Sequence, residues 1–336
     1  MSSDTQILSK QKGGGLKEGV FGQPRKAPKI SVVAPMHNEE GNAKHLYQAI
    51  KNAVDPLGIG YEIIFVNDAS DDRTFEVLKK IQKEDPNFHY CDLRHNVGEN
   101  WALLAGVSVA KGDTIVTIDG DFQNDPKFIP ALLQELKKGF QVVSGWRKNR
   151  AGGVDRTLPS VVANYLISKI SGVPIHDCGC GLKAYRREVL AGKFVPKGFM
   201  NRFSPVVFGI KADQFREIEV TDRLRTYGKS HYGTKRVFIV FNDLLALPYI
   251  LRGVKKSFPK IRVLKRLSIG GALISGTLAA TTDSFLGIWA GMFLLAFAGA
   301  ASVEWNLSRF LEAETTPHFK IKEFSREPAW NTTNYA

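Results

Sequence analysis

The chain has 336 residues, 43% of them hydrophobic and 24% charged; it can bury a large core without disulfide or metal staples, and wholesale disorder is excluded. A mean hydropathy of −0.15 excludes a polytopic transporter, and only three cysteines, Cys91, Cys178 and Cys180, exclude a secreted disulfide scaffold. The 46 Lys and Arg against 33 Asp and Glu leave a formal charge of +13, which calls for nucleic acid, a phospholipid surface or a phosphorylated substrate as partner.

Residues 1–28 are polar, carry Gly13-Gly14-Gly15 and lack an apolar run. They read as a flexible basic tail, not as a signal peptide, whose core needs about 7–15 apolar residues. From Lys29 onward short β-rich runs alternate with helical periodicity. The pattern predicts strands at 30–34, 61–66, 88–93, 114–118 and 140–144, and helices near 39–54, 72–84, 99–110 and 126–138. Such alternation predicts an α/β domain over 29–236, a mostly parallel sheet with helices on both faces. Ligands of these sheets bind at the carboxyl ends of the strands, so the residues just after each strand carry the most weight.

The last third differs. Residues 237–251 are strongly apolar but broken by Asn242, Asp243 and Pro248, as in an interfacial or buried helix. Residues 252–266 hold seven Lys or Arg and no acid, so 237–266 reads as a juxtamembrane region. The apolar block 267–303 is interrupted only by Thr281-Thr282-Asp283-Ser284. As one helix it would run about 55 Å, against a hydrocarbon core of about 30 Å. Two helices, about 267–281 and 285–303, joined by the polar turn, fit better and form a transmembrane hairpin over 267–307. Small residues at 268, 272, 276 and 280, and at 287, 291 and 299, offer ridges for close helix approach. A soluble helical hairpin is the alternative. The basic run beside the block favours the membrane and predicts a catalytic bulk on the cytoplasmic face, with 308–336 as a polar cytoplasmic tail.

Three acidic loops follow predicted strands. Asp119-Gly120-Asp121 comes directly after 114–118, and two carboxylates flanking a small residue can share a divalent cation and hold it against a diphosphate. Gln123 and Asp125 follow; a solvated acidic turn is the plainer reading. Pro35-Met36-His37-Asn38-Glu39-Glu40 follows the first strand, where Asn38 and Glu39 offer acceptors for a base or ribose, or cap the next helix. Asn67-Asp68-Ala69-Ser70-Asp71-Asp72 follows the second, where Asp68 can take a ribose hydroxyl or base edge and Ser70 or Asp72 can cap.

Further motifs stand in order. They are Arg94-His95-Asn96-Val97-Gly98 with Ala105-Gly106 and Gly112-Asp113, then Asp119 to Pro126, Ser144-Gly145-Trp146-Arg147 and Asp177 to Arg186. Met200-Asn201-Arg202-Phe203 and Arg225 to Gly233 complete the set. Together they resemble family 2 glycosyltransferases of the GT-A (Rossmann-like) fold, and within them the dolichol- and bactoprenol-phosphate sugar synthases, such as dolichol-phosphate mannosyltransferases. The resemblance covers about 29–250, with paired spans as a typical appendage.

The resemblance implies an inverting hexosyltransferase that moves one sugar from a UDP- or GDP-sugar to a polyprenyl phosphate. Asp121 and Arg147 would be catalytic. Asp119, Asp121 and Gln123 would hold Mg²⁺ or Mn²⁺. Pro35, Asn38, Glu39, Asp68, Asn96, Gly98, Asp119 and Gly120 would seat the nucleotide sugar. Arg147, Lys183, Arg202, Arg225, Lys229 and His231 would bind the acceptor phosphate. Departures exist: the usual aspartate pair after the second strand is Asn67-Asp68, and Val161 replaces an arginine, with Ser160 and Asn164 kept. No Q-x-x-R-W motif of processive synthases is present, which implies single transfer. The implied setting is an integral membrane protein of a bacterial inner membrane or an ER-type membrane. An anionic lipid surface takes up the positive charge without nucleic acid, and a homo-oligomer is compatible. Transfer to a neutral lipid and a non-catalytic nucleotide-binding adaptor are the alternatives.

Overall fold

The computed structural model describes residues 28–148, 154–190, 204–222, 235–281, 285–315 and 319–326. Its first half is a regular strand–helix alternation: β1 (Ile30–Met36), α1 (Glu40–Val54), β2 (Tyr61–Asn67), α2 (Thr74–Glu84), β3 (Phe88–Leu93), α3 (Glu99–Val109) and β4 (Thr114–Thr117). A 3-10 turn at Pro126–Phe128, capped by the Asp125 carboxylate on the Lys127 N–H, leads into α4 (Ile129–Lys137). Then come β5 (Val142–Trp146), α5 (Val154–Ser171), β6 (Lys183–Arg186), α6 (Arg187–Leu190) and β7 (Phe215–Glu219).

All strands join one sheet in the order β7-β5-β6-β4-β1-β2-β3-β8, where β8 is Ile321–Phe324. The centre, β4-β1-β2-β3, is parallel, and each residue of β1, β2 and β3 is buried. That is why these strands read as near-continuous apolar runs, because both faces are covered. Val32, Ala34 and Met36 of β1 pack with Leu46 and Ile50 of α1, while Val33 faces Ala102 and Ala105 of α3. The parallel order lets β1, β2 and β4 end side by side, and it is their ends that build the site.

Three strands escaped the sequence pattern. β6 wedges antiparallel between β4 and β5, and β7 (FREIE) pairs parallel with β5 at the edge, half-exposed. The third corrects the reading of 308–336 as a polar tail: β8 pairs antiparallel with β3.

The last helices are α7 (Lys235–Leu251), α8 (Val254–Thr281) and α9 (Phe285–Thr315). α7 buries Leu244, Ala246, Leu247 and Ile250, while Phe241 is 61% exposed, so one face packs and the other is open. α8 and α9 are each long and apolar enough to cross a membrane, over Val254–Ala280 and Ile288–Glu312. Both extend beyond the apolar block, α8 through most of the basic run. Ser268 and Ala272 are buried in the pair, whereas a side chain at Gly276, Gly291 or Gly299 would meet no described atom. Only part of the small-residue ridge therefore serves the α8–α9 contact. Arg262 reaches Glu304 at 2.9 Å, and Lys265 pairs with the same carboxylate, which ties α8 to α9.

Candidate active site

The ends of β1, β2 and β4 converge, and each following loop holds a non-glycine residue with positive φ: Asn38 (57°), Ala69 (49°) and Phe122 (59°). Asparagine tolerates this conformation; alanine and phenylalanine do so at a cost, and such strain gathers at functional sites.

The first two loops cap each other's helices. The N–H groups of Asn38, Glu39 and Glu40, at the start of α1, donate to Ser70 Oγ (3.0 Å), Thr74 Oγ1 (2.8 Å) and Asp72 Oδ2 (3.1 Å). In return the Asp71 and Arg73 N–H groups donate to Asn38 Oδ1 (2.8 Å) and Glu40 Oε2 (3.1 Å). Orphan donors that a helix cannot satisfy itself are thus met by the neighbouring loop. Neither Asn38 nor Glu39 caps α1 with its own side chain; the Glu39 carboxylate instead accepts from Asn42 Nδ2 at 2.6 Å.

Asp68 is 2% exposed, and its two carboxylate oxygens accept the Val97 N–H (2.7 Å) and the Gly98 N–H (2.8 Å). It clamps the loop after β3 to the end of β2. His37 Nδ1 lies 2.9 Å from the Asp68 carbonyl and 3.1 Å from Asn96 Nδ2, which ties the three loops together. Pro35, Asn38, Glu39, Asp68, Asn96 and Gly98 therefore share one rim.

Asp119-Gly120-Asp121 leaves β4 beside this rim. A Cβ at Gly120 would collide with the Pro35 carbonyl and lie 2.9 Å from Met36 Sδ, so only glycine lets the loop pass the end of β1. A Cβ at Gly181 would overlap the Asp119 carboxylate, which fixes that residue too. Burial, then the carboxylates of Glu99 and Asp121, hold the Asp119 carboxyl well above its ordinary range, while Arg147 and Lys183 pull it back. Asp121 accepts the Gln123 N–H at 3.1 Å, the bond the structure gives Gln123 to this loop.

Arg147, at the end of β5, forks onto Asp177: Nε to Oδ2 at 2.7 Å and Nη2 to Oδ1 at 3.1 Å. Its Nη1 is 3.7 Å from Asp222 Oδ2, and its side chain is 12% exposed. The guanidinium assigned to an acceptor phosphate is thus already held by carboxylates, and these keep it firmly charged against the cost of burial. Asn164 steadies the arrangement by donating to the His176 carbonyl at 2.7 Å, and Val161 is exposed. Lys183 is 3% exposed and donates to the Cys180 carbonyl. Burial pushes the Cys180 thiol up to about 12, so it is no nucleophile at neutral pH. Arg202, Arg225, Lys229 and His231 lie outside the described residues.

Sequence reasoning missed two acids here. Asp222 is bridged through the backbone to Asn124, and burial, with Asp177 and Asp121, raises its carboxyl against the opposing pull of Arg147. Glu217 receives the N–H groups of His176 and Asp177 at 3.0 Å. The one available signal was Asp222 standing just before a basic stretch.

The Asp119 carboxyl is buried at the end of β4 beside that of Asp121. Asp119 and Asp121 offer hard oxygen ligands, so the residues fit Mg²⁺ or Mn²⁺. Among the described residues no group of three or more His, Cys, Asp or Glu is arranged to hold a metal alone.

The family model for glycosyl transferase family 2 matches residues 31–192. A dodecaprenyl-phosphate galacturonate synthase of Rhizobium johnstonii is 37% identical over 234 residues, 68% of this chain and 69% of the relative. The chain belongs to glycosyltransferase family 2. It is a glycosyltransferase of GT-A-like fold. Undecaprenyl-phosphate 4-deoxy-4-formamido-L-arabinose transferases are also similar: that of Pseudomonas paraeruginosa is 34% identical, with 64% of each chain covered, and that of Aeromonas hydrophila is 30% identical, covering 77% of this chain and 84% of the relative. Among solved structures, mannosyl-3-phosphoglycerate synthase of Rubrobacter xylanophilus superposes with a TM-score of 0.54 at 16% identity, covering 67% of this chain and 75% of that one. Glucosyl-3-phosphoglycerate synthase of Mycobacterium tuberculosis, in complex with Mn²⁺, UDP and glucosyl-3-phosphoglycerate, gives 0.51 at 20% identity, covering 66% and 79%. These two likenesses concern the fold.

Proposed function

We propose that this glycosyltransferase moves one sugar, with inversion, from a nucleotide-diphosphate sugar to the phosphate of a polyprenyl phosphate at a membrane surface. The observation that carries the reading is the Asp119-Gly120-Asp121 turn, pressed against the end of β1, with the Asp119 carboxyl held above its range by burial and then by neighbouring acids. The names of the similar dodecaprenyl- and undecaprenyl-phosphate enzymes support the acceptor class.

Asp119 and Asp121 would hold Mg²⁺ or Mn²⁺, with Gln123 beside them, and the ion supplies charge neutralisation to a departing diphosphate. The rim of Pro35, Asn38, Glu39, Asn96 and Gly98 would receive the nucleoside, and Asp68 would set that rim through the 97–98 backbone. In this reading Arg147, oriented by its fork onto Asp177, and the buried Lys183 are the acceptor-phosphate cations among the described residues. Arg202, Arg225, Lys229 and His231 are the further acceptor-phosphate residues in this reading. A phosphate monoester, with a second pKa of about 6, is already an anion at neutral pH, so the nucleophile needs positioning and no general base.

The hairpin gives the acceptor's isoprenoid a place. β8 follows α9 yet pairs with β3, so the chain returns to the catalytic sheet after the two helices. Embedded in a bilayer they form a hairpin with both ends on the catalytic, cytoplasmic face. Basic residues of 252–266 then meet anionic headgroups, at about 1 kcal/mol each near the surface. Asp243, 1% exposed, and Asn306, 0% exposed, lie where α7 meets α9, and Asn306 Nδ2 donates to the Asn242 carbonyl at 3.3 Å. This polar junction docks α7 beside the hairpin.

The test offers the detergent-solubilised protein labelled UDP- and GDP-sugars with three acceptors: polyprenyl phosphate, the corresponding polyprenol, and diacylglycerol. Transfer to the phosphate alone is expected. Transfer to polyprenol or diacylglycerol would contradict the reading and point to a neutral lipid acceptor.

A further inference from the structure

Strand β8 covers the open edge of β3, and its contacts lead toward the carboxyl ends of β2 and β3. One residue past β3 the Arg94 N–H donates to the Lys320 carbonyl at 3.0 Å, so pairing continues into the 94–98 loop that Asp68 clamps. Asp92, 3% exposed, accepts Asn67 Nδ2 at 2.7 Å and meets the Lys322 ammonium at 3.3 Å. Asn67 immediately precedes Asp68, and its Oδ1 accepts the Ser70 N–H at 3.3 Å. Ser70 Oγ in turn accepts the Asn38 N–H. A continuous polar chain thus runs from Lys322 through Asp92, Asn67 and Ser70 to the loop after β1.

Lys322 is the one cation within ion-pair distance of the buried Asp92 among the described residues, and a buried carboxylate stripped of its partner is costly. Phe319, 2% exposed, places its ring 6.2 Å from Trp101 in the first turn of α3, directly after the clamped loop. The strand is anchored at its far end. Ser325 and Tyr90 exchange bonds at 3.1 Å, Arg326 pairs with Glu62, and Arg326 Nη2 donates to the Val109 carbonyl at 3.1 Å.

We propose that β8 is a strut that sets the geometry of the donor-binding loops, with Lys322 as a positioning residue that acts through Asp92 and Asn67. The proposal rests on the reading that the loops after β1, β2 and β3 seat the nucleotide. The segment that follows the hairpin thereby supports the donor-binding loops through β3 and Asp92.

The test uses the full chain in detergent with Lys322→Met and Lys322→Arg. Lys322 is 61% exposed, so neither change should block folding. Three quantities are measured: UDP and GDP affinity with Mn²⁺ by calorimetry, donor KM and kcat in transfer, and amide exchange at Val97 and Gly98. Lys322→Met is expected to weaken nucleotide binding and raise donor KM by about two- to thirtyfold. kcat should stay within about twofold, exchange at the loop should quicken, and Lys322→Arg should restore all three. A lower Tm with unchanged affinity and exchange would overturn the proposal. If the native chain binds neither nucleotide, the donor-site reading fails, and loop exchange alone then decides the strut: faster in Lys322→Met upholds it, unchanged overturns it.

Discussion

Asp119 is where charge, packing and proposed chemistry meet, and its carboxyl is the group whose titration has the clearest sign. Unfolded, it ionises near 3.8; folded, it holds its proton to a higher pH. In the metal-free chain its contribution therefore falls as pH rises through the interval between those two values. Asp119→Asn should raise the metal-free Tm at neutral pH and abolish the Tm increase that Mn²⁺ gives the native chain. An unchanged response to Mn²⁺ would remove Asp119 from the ion's shell. Asp68→Asn turns an amide toward one of two backbone N–H donors, leaving that donor buried and unmet at about 1–3 kcal/mol. The expected result is a lower Tm together with weaker nucleotide binding. The D-x-D pair, Asp68 and Arg147 were legible because each follows a strand in a recognisable motif. Their partners were not. Asp177 stood inside a quoted motif without a role, and Asp222, Asp92 and Lys322 meet their partners only after distant segments fold together.

Elements that bury both faces announce themselves, and β1 to β5 were all readable, with β5 shifted by two residues to Val142–Trp146. β6 has four residues beside a glycine-rich turn, β7 is an exposed edge, and β8 lies far along the chain in a polar stretch. Short strands carry too few alternations to betray a period, and pairing supplies the rest. The helical hairpin was readable from hydropathy, but not which small residues face inward. Ala272 is buried between α8 and α9, so Ala272→Phe should overpack the pair and cost about 1–3 kcal/mol. Gly276 faces open space, so Gly276→Ala should be neutral or stabilise the helix by up to about 1 kcal/mol. Thermal unfolding of both variants in nanodiscs distinguishes the two positions; equal effects would mean that the pair packs by another face.

For the molecule as a whole, the decisive fact is that one sheet contains strands from before and after the hairpin. Reporter fusions at the two chain ends should both report the cytoplasm, and opposite sides would contradict a hairpin. The basic run keeps a positive excess on this side, because Arg262 and Lys265 share the single carboxylate of Glu304. The activity proposed for the molecule is metal-assisted sugar transfer to a lipid phosphate at Asp119 and Asp121. Its most direct measurement follows label from a nucleotide sugar into polyprenyl phosphate, for the native chain and Asp121→Ala, with Mn²⁺ and with EDTA. Label entering the lipid phase with Mn²⁺, lost with EDTA and lost in Asp121→Ala, is the result predicted. Transfer that survives both EDTA and the substitution would contradict it.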